Sequence, residues 1–295
     1  MKMKTIVLAG LCAGVAVGCG SEEEPLPTEL RFQTGDFEVP PGDSFTCIYT
    51  DTFIERELAV INAYGSQQLG GHHVTAYFTR ATRSPTSHPC VAAEMADWNQ
   101  VGGGGSTDEE FDLSLPEGLG IKIPAGVQMV LQAHYINLTE ETFTANDDIT
   151  LELADPATLE SFVNQFIVID TDFNVPAHEA ADSVVTCTVP SEVKIVNLLG
   201  HLHEWGTKYT LERIDAAGEP LEILYEETWE PAFASAPPVR RFAKDAPLVL
   251  AAGTRLRQSC AWQNIEDEAL RFPREMCLAY AQYFPDNGEI YCELD

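Results

Sequence analysis

Residues 193–214 read VKIVNLLGHLHEWGTKYTLERI. Val, Ile, Thr and Tyr crowd this run, glycine punctuates it, and no apolar stripe recurs at helical spacing, so it predicts strand. The same signature returns in HHVTAYFT (72–79), VQMVLQAHYIN (127–137), DITLELA (148–154), FIVID (166–170) and TRLRQSCAW (254–262). Gly, Pro, Asn and Asp separate these runs, and helix-period segments are scarce. An all-β fold of antiparallel β-sandwich type follows. GGGGSTDEE (102–110) reads as a loop.

A faint internal repeat adds organisation. AGVQMVLQAHYIN (125–137) aligns with AGTRLRQSCAWQN (252–264) at an offset of 127, sharing an Ala-Gly turn, an aromatic at Tyr135 and Trp262, and a closing Asn. GHH (71–73) aligns with GHL (200–202) at an offset of 129. Two related tandem domains are expected, 30–157 and 158–295, with the boundary near Pro156–Ser161.

Lys2 and Lys4 precede the apolar run Ile6 to Val17, which is too short to span a membrane but suits a signal peptide over 1–18. Ala16-Val17-Gly18-Cys19 resembles a bacterial lipobox, making Cys19 a lipidation candidate; a cleaved signal with an incidental cysteine is the alternative. Residues 19–29 are acidic and contain proline, as an exposed tether does. A bacterial cell-envelope location follows, the membrane being reached only through that lipid. The net charge of −29 argues against nucleic acid and anionic membrane surfaces as partners. Beyond Cys12 and Cys19, six cysteines remain. An even number in an exported chain suggests three disulfides, for which fifteen pairings exist. None forms a CxxC pair, so a thiolate zinc site is not expected.

Five of the seven histidines, namely His72, His73, His134, His201 and His203, sit in strand-like apolar contexts, whereas His88 and His178 lie in turn-like segments. On a strand, residues i and i+2 share a face, so His201 and His203 can reach one metal. HxH on a strand also resembles the zinc site of α-type carbonic anhydrases and the metal site of cupins, but both need a later histidine and none follows His203. Met276 follows instead, and two imidazoles with one thioether form a soft set suited to copper. His72 and His73 are adjacent and would face opposite ways on an ideal strand; Gly70 and Gly71 permit a bulge that brings them together.

With these motifs in their order, the chain over roughly 30–295 resembles the copper type II, ascorbate-dependent monooxygenases, the group of peptidylglycine α-hydroxylating monooxygenase and dopamine β-monooxygenase. The resemblance implies two jelly-roll-like β-sandwich domains, each holding one of two copper ions. It assigns His72, His73 and the His134 of QAHYIN to a first, electron-relaying copper. His201, His203 and the Met276 of EMC (275–277) go to a second copper, where O2 and substrate meet. It also implies the disulfides Cys47–Cys90, Cys187–Cys292 and Cys260–Cys277. The implied activity is hydroxylation of a C–H bond of a small-molecule substrate with O2 and ascorbate or another one-electron reductant. A non-catalytic copper-binding lipoprotein for storage, delivery or sensing is the rival.

Departures bear on the substrate. Leu199 and Leu278 stand where the peptide-hydroxylating members place an Arg and an Asn. Leu199 should share a face with His201, and Leu278 with Met276, which leaves the pocket apolar and makes glycine-extended peptides poor substrates. Tyr280 lies on that face, as a substrate contact or a packed aromatic. Gln132 matches a family glutamine, for which local hydrogen bonding is the expected role. Asn137-Leu-Thr fits a glycosylation pattern by composition only.

Overall fold

The computed structural model describes residues 25–105 and 113–294. The signal-peptide and Cys19 readings, and residues 106–110 of the expected loop, lie outside the described residues. Among those described, no helix is long and apolar enough to cross a membrane.

Regular secondary structure among the described residues is almost entirely strand. The first half runs β1 (Glu29–Gln33), β2 (Gly42–Ile54), β3 (Leu58–Ser66), β4 (Gly71–Thr79), β5 (Trp98–Gly105), β6 (Leu119–Ile123), β7 (Val127–Asn137) and β8 (Asp148–Ala154). A short 3-10 turn at Pro156–Thr158 follows. The second half runs β9 (Ser161–Asp170), β10 (Ala180–Thr188), β11 (Val193–His201), β12 (Gly206–Ile214), β13 (Pro220–Thr228), β14 (Leu248–Leu250), β15 (Arg255–Gln263) and β16 (Cys277–Phe284). β1 begins, and Leu26 packs on the first core, inside the stretch expected to be tether.

The pairing repeats across the halves. The first half orders one sheet β1-β8-β3-β6 and the other β2-β7-β4-β5. The second half orders its sheets β9-β16-β11-β14 and β10-β15-β12-β13. Each of these sixteen strands therefore has its counterpart eight places away, while short strands such as Phe37–Val39 and Thr86–Pro89 stand outside the correspondence. β6 and β9 pair in parallel, which fuses one sheet of each half into a single sheet, brought to ten strands by the two-residue strands Arg240–Arg241 and Ile290–Tyr291. Within each half the two sheets face each other over a hydrophobic core, one built around Val74, Met129, Leu131 and Leu151, the other around Phe166, Tyr209, Leu211 and Trp262.

The aligned segments of the repeat behave differently. β7 and β15 occupy the same central place in their sheets, and Gly126 and Gly253 before them have φ of 80 and 82°. GHH opens β4 whereas GHL closes β11, so those residues are not equivalent, although both belong to the same connection in each half. The glycine run also differs from expectation. Gly102–Gly105 are not loop but the end of β5. A Cβ on Gly102 would overlap Ala63, and one on Gly104 the backbone of Gly65. Glycine lets this strand lie closer to the opposite sheet than side chains allow, so the run serves packing.

Three disulfides join Cys47–Cys90, Cys187–Cys292 and Cys260–Cys277. The last links β15 to the first residue of β16, across the two sheets of the second half and next to Met276. Asn137 is buried and its amide donates to the carbonyls of Val39 and Glu141, a structural role that leaves its side chain no access to a glycan.

Candidate metal centre

β7 is buried along nearly its whole length. Val127, Met129 and Leu131 face the first core, while Gln132 and His134 face away from it, toward the second half of the chain. On that outer face His73 pairs directly with His134, and the register slips between Gly71 and His73, leaving His72 as the bulged residue. Gly70, at φ 89°, supplies the left-handed turn before the bulge. The bulge turns His72 toward its neighbours: His72 Nδ1 lies 3.1 Å from His73 Nδ1. Two nitrogens sharing one tetrahedral ion at about 2.0 Å would lie about 3.3 Å apart.

From the second half, β11 ends at His201, and His203 sits in the turn that follows rather than on the strand. Strand alternation therefore does not bring the two imidazoles together; side-chain and backbone contacts do. Trp229 Nε1 donates to the His203 carbonyl at 2.9 Å. The His203 N–H donates to Glu275 Oε1 at 2.6 Å, and the Met276 N–H donates to the same oxygen at 2.7 Å. One carboxyl oxygen thus fixes the HxH turn and the methionine together.

The structure brings all five histidines into one cluster. The nitrogens of His72, His73 and His134 lie within 4.8 Å of one another, and so do those of His72, His201 and His203. His72 belongs to both trios. Its ring centroid is 4.6 Å from that of His134 and 5.0 Å from that of His203.

The surrounding hydrogen bonds decide which nitrogen is free. His203 Nδ1 lies 2.9 Å from the Arg274 carbonyl, which can only accept, so Nδ1 carries the proton and Nε2 keeps its lone pair. His134 Nε2 donates to Asp43 Oδ1 at 2.6 Å, so Nδ1 is the ring nitrogen this contact leaves available. His134 Nδ1, His203 Nε2 and His72 Nε2 are buried without a hydrogen-bond partner among the described residues. Buried nitrogens with fixed tautomers and no protein partner are what a metal would satisfy. Burial, reinforced by the neighbouring imidazoles, lowers His73 to about 3 and His203 to about 4 and holds His72 and His201 well below the usual value. At neutral pH these four rings are neutral and ligand-competent. The donors fit a soft or borderline cation.

Beside the cluster opens a cavity of about 550 Å³. β11 and β16 pair His201 with Leu278 and Leu199 with Tyr280, so all four share a face. They line the cavity with Met276, as the alternation of residues had indicated. Gly200 faces the other way, where a Cβ would overlap the Tyr209 ring. Gln132 points its amide oxygen at His73 Nε2, at 3.5 Å, and its amide nitrogen at the Met95 sulfur, at 3.4 Å. Its role is local, as expected. His88 and His178 stay apart from the cluster, contacting Glu94 and Asp267 respectively, each at 2.9 Å. Glu275, Asp43 and the Arg274 carbonyl are the contributors sequence reasoning missed. Only Glu275 left a signal, as the first letter of EMC.

Tyr77 closes the first-half side of the cavity, and burial pushes its hydroxyl up to about 12. Because the folded value is raised above the unfolded one of about 10, the native state holds a proton the unfolded chain releases between those values. Stability is then full below pH 10 and falls as pH rises toward 12, by on the order of 2 kcal/mol. Denaturant midpoints at pH 9 and 11 should separate less in Tyr77→Phe than in the wild type; equal separation would show Tyr77 is not responsible.

No family model matches this chain, and no curated protein matches it. Among solved structures, a chain of Sulfolobus turreted icosahedral virus is 11% identical with a TM-score of 0.32, covering 87% of this chain and 90% of that one. A protein of Parabacteroides distasonis described as secreted is 8% identical with a TM-score of 0.21, covering 90% and 86%. Likenesses this slight carry no functional argument.

Proposed function

We propose that this chain is a copper-dependent monooxygenase of two tandem β-sandwich domains, 30–157 and 158–295, each contributing one copper-binding set. It hydroxylates a C–H bond of a small organic substrate using O2 and a one-electron reductant such as ascorbate. The observation that carries this is convergence: His72, His73, His201 and Met276 border one cavity, and buried nitrogens of His72, His134 and His203 in the same cluster have no hydrogen-bond partner among the described residues. A storage or delivery protein needs the donors but not a substrate-sized cavity beside them.

His72, His73 and His134 would hold one ion, and His201, His203 and Met276 the other. Copper bound there supplies one-electron redox chemistry and activation of dioxygen, for which a thioether-containing set is suited. In net terms one oxygen atom enters the C–H bond and the other leaves as water, with two electrons from the reductant and two protons. The protein's own residues position and exclude. Asp43 and the Arg274 carbonyl fix the tautomers of His134 and His203. Leu199 and Leu278 flank His201 and keep water from the reacting carbon. A lipid on Cys19 would tether the enzyme to the cell envelope.

Copper-loaded protein, dialysed and assayed by metal analysis, should retain two ions per chain. It should consume O2 only with reductant present, and should incorporate labelled oxygen from O2 into one component of a metabolite extract. Retention of copper without reductant-dependent oxygen uptake would return the chain to the carrier class, and no retention would remove copper altogether.

A further inference from the structure

The cavity beside His201 carries an absence that bears on what it binds. Among the described residues that line it, none is Asp, Glu, Lys or Arg. Its walls are Leu199, Leu278, Phe272 and Pro273 on one side and Tyr77 with Met95 on the other. The acid beside it, Glu275, is buried with Oε1 committed to the N–H groups of His203 and Met276. About 550 Å³ is within the range of small-molecule pockets, roughly 300–1,000 Å³. A charged ligand entering this space loses its hydration, at a cost of several kcal/mol per ion, and among the described lining residues meets no Asp, Glu, Lys or Arg to recover it. A neutral ligand loses little and gains the burial of its apolar surface. Beyond the histidines, the polar side chains of the lining are the hydroxyls of Thr75, Ser235, Tyr77 and Tyr280 and the amides of Gln100 and Gln132, which suit a neutral hydroxyl or carbonyl.

We infer that the substrate of this site is an uncharged, mainly apolar molecule of aryl-alkyl size carrying at most a few neutral hydrogen-bonding groups, and neither a carboxylate nor an ammonium. The inference rests on the monooxygenase reading for the word substrate, but its binding content stands on the cavity alone. A metal at the histidines adds positive charge that favours anions, so the preference is strongest against cations and must be tested against both.

Three probes of one skeleton test it: 3-phenylpropanol, 3-phenylpropionate and 3-phenylpropylammonium, titrated calorimetrically at neutral pH into copper-free and copper-loaded protein. The alcohol should bind at least about tenfold tighter than either ion in both forms. In Leu199→Arg, which places a cation in the wall, the propionate should gain at least about tenfold relative to the alcohol. The wild-type series decides the matter even where that variant does not fold. Equal affinities, tighter binding of either ion, or no binding of the alcohol overturns the inference. Preference for the alcohol without copper retention sinks the oxygenase reading and leaves this one standing. Copper retention and reductant-dependent oxygen uptake with an ion preferred do the reverse.

Discussion

Met276→Ala is expected to lower reductant-dependent oxygen uptake by at least about a hundredfold while copper stays on His72, His73 and His134. In the proposed assignment the thioether completes the one set that is not all imidazole, and Met276 borders the cavity where a substrate would sit. Removing it leaves that set's ion with His201 and His203, whose rings lie 5.2 Å apart, and only a His72 shared with the other set, so affinity there should fall. Metal analysis after dialysis should fall from two ions per chain toward one. His72→Ala should behave otherwise. His72 nitrogens lie within 4.8 Å of both partner pairs, so its loss should weaken retention at both sets. Unchanged oxygen uptake in Met276→Ala would exclude sulfur ligation, and loss of a single copper in His72→Ala would mean the two sets act independently.

Much of this arrangement was legible in residues 193–214 and 127–137 because strand alternation is a strong local rule. Leu199, His201, Leu278 and Tyr280 do share one face, and the bulge at His72 falls where Gly70 and Gly71 allow it. Two things were not legible. The HxH motif straddles a strand end, and what joins His203 to Met276 is a pair of hydrogen bonds to Glu275, a contact spanning 72 residues that no local pattern encodes. The glycine run misled for the opposite reason. Glycine marks flexibility and close approach alike, and only the opposing strand, with Ala63 and Gly65, shows that the second applies to Gly102–Gly105. Likewise the joining of β6 to β9 depends on pairing between the halves, and the repeat in the sequence is silent on it.

The largest structural effect should come from Glu275. It is fully buried, and its Oε1 accepts the backbone N–H of both His203 and Met276. Burial pushes its carboxyl up to about 8 even though those two donors pull the other way. An oxygen that only accepts can be supplied equally by an amide, so Glu275→Gln should keep both bonds and fold with near wild-type stability. Glu275→Ala removes the acceptor and leaves two N–H groups buried without a partner, at about 1–3 kcal/mol each. A loss of about 2–6 kcal/mol in denaturant unfolding is therefore expected for alanine, against less than about 1 kcal/mol for glutamine. The metal readout should follow the same order. With the latch gone, the HxH turn and the methionine lose their common anchor, so the copper resonance spectrum should broaden in Glu275→Ala and stay sharp in Glu275→Gln. An alanine variant as stable and as spectroscopically sharp as the wild type would mean that the Cys260–Cys277 bridge and the Arg274 carbonyl hold the site without Glu275. A glutamine variant as damaged as alanine would mean instead that the carboxyl itself, rather than a hydrogen-bond acceptor, is required there.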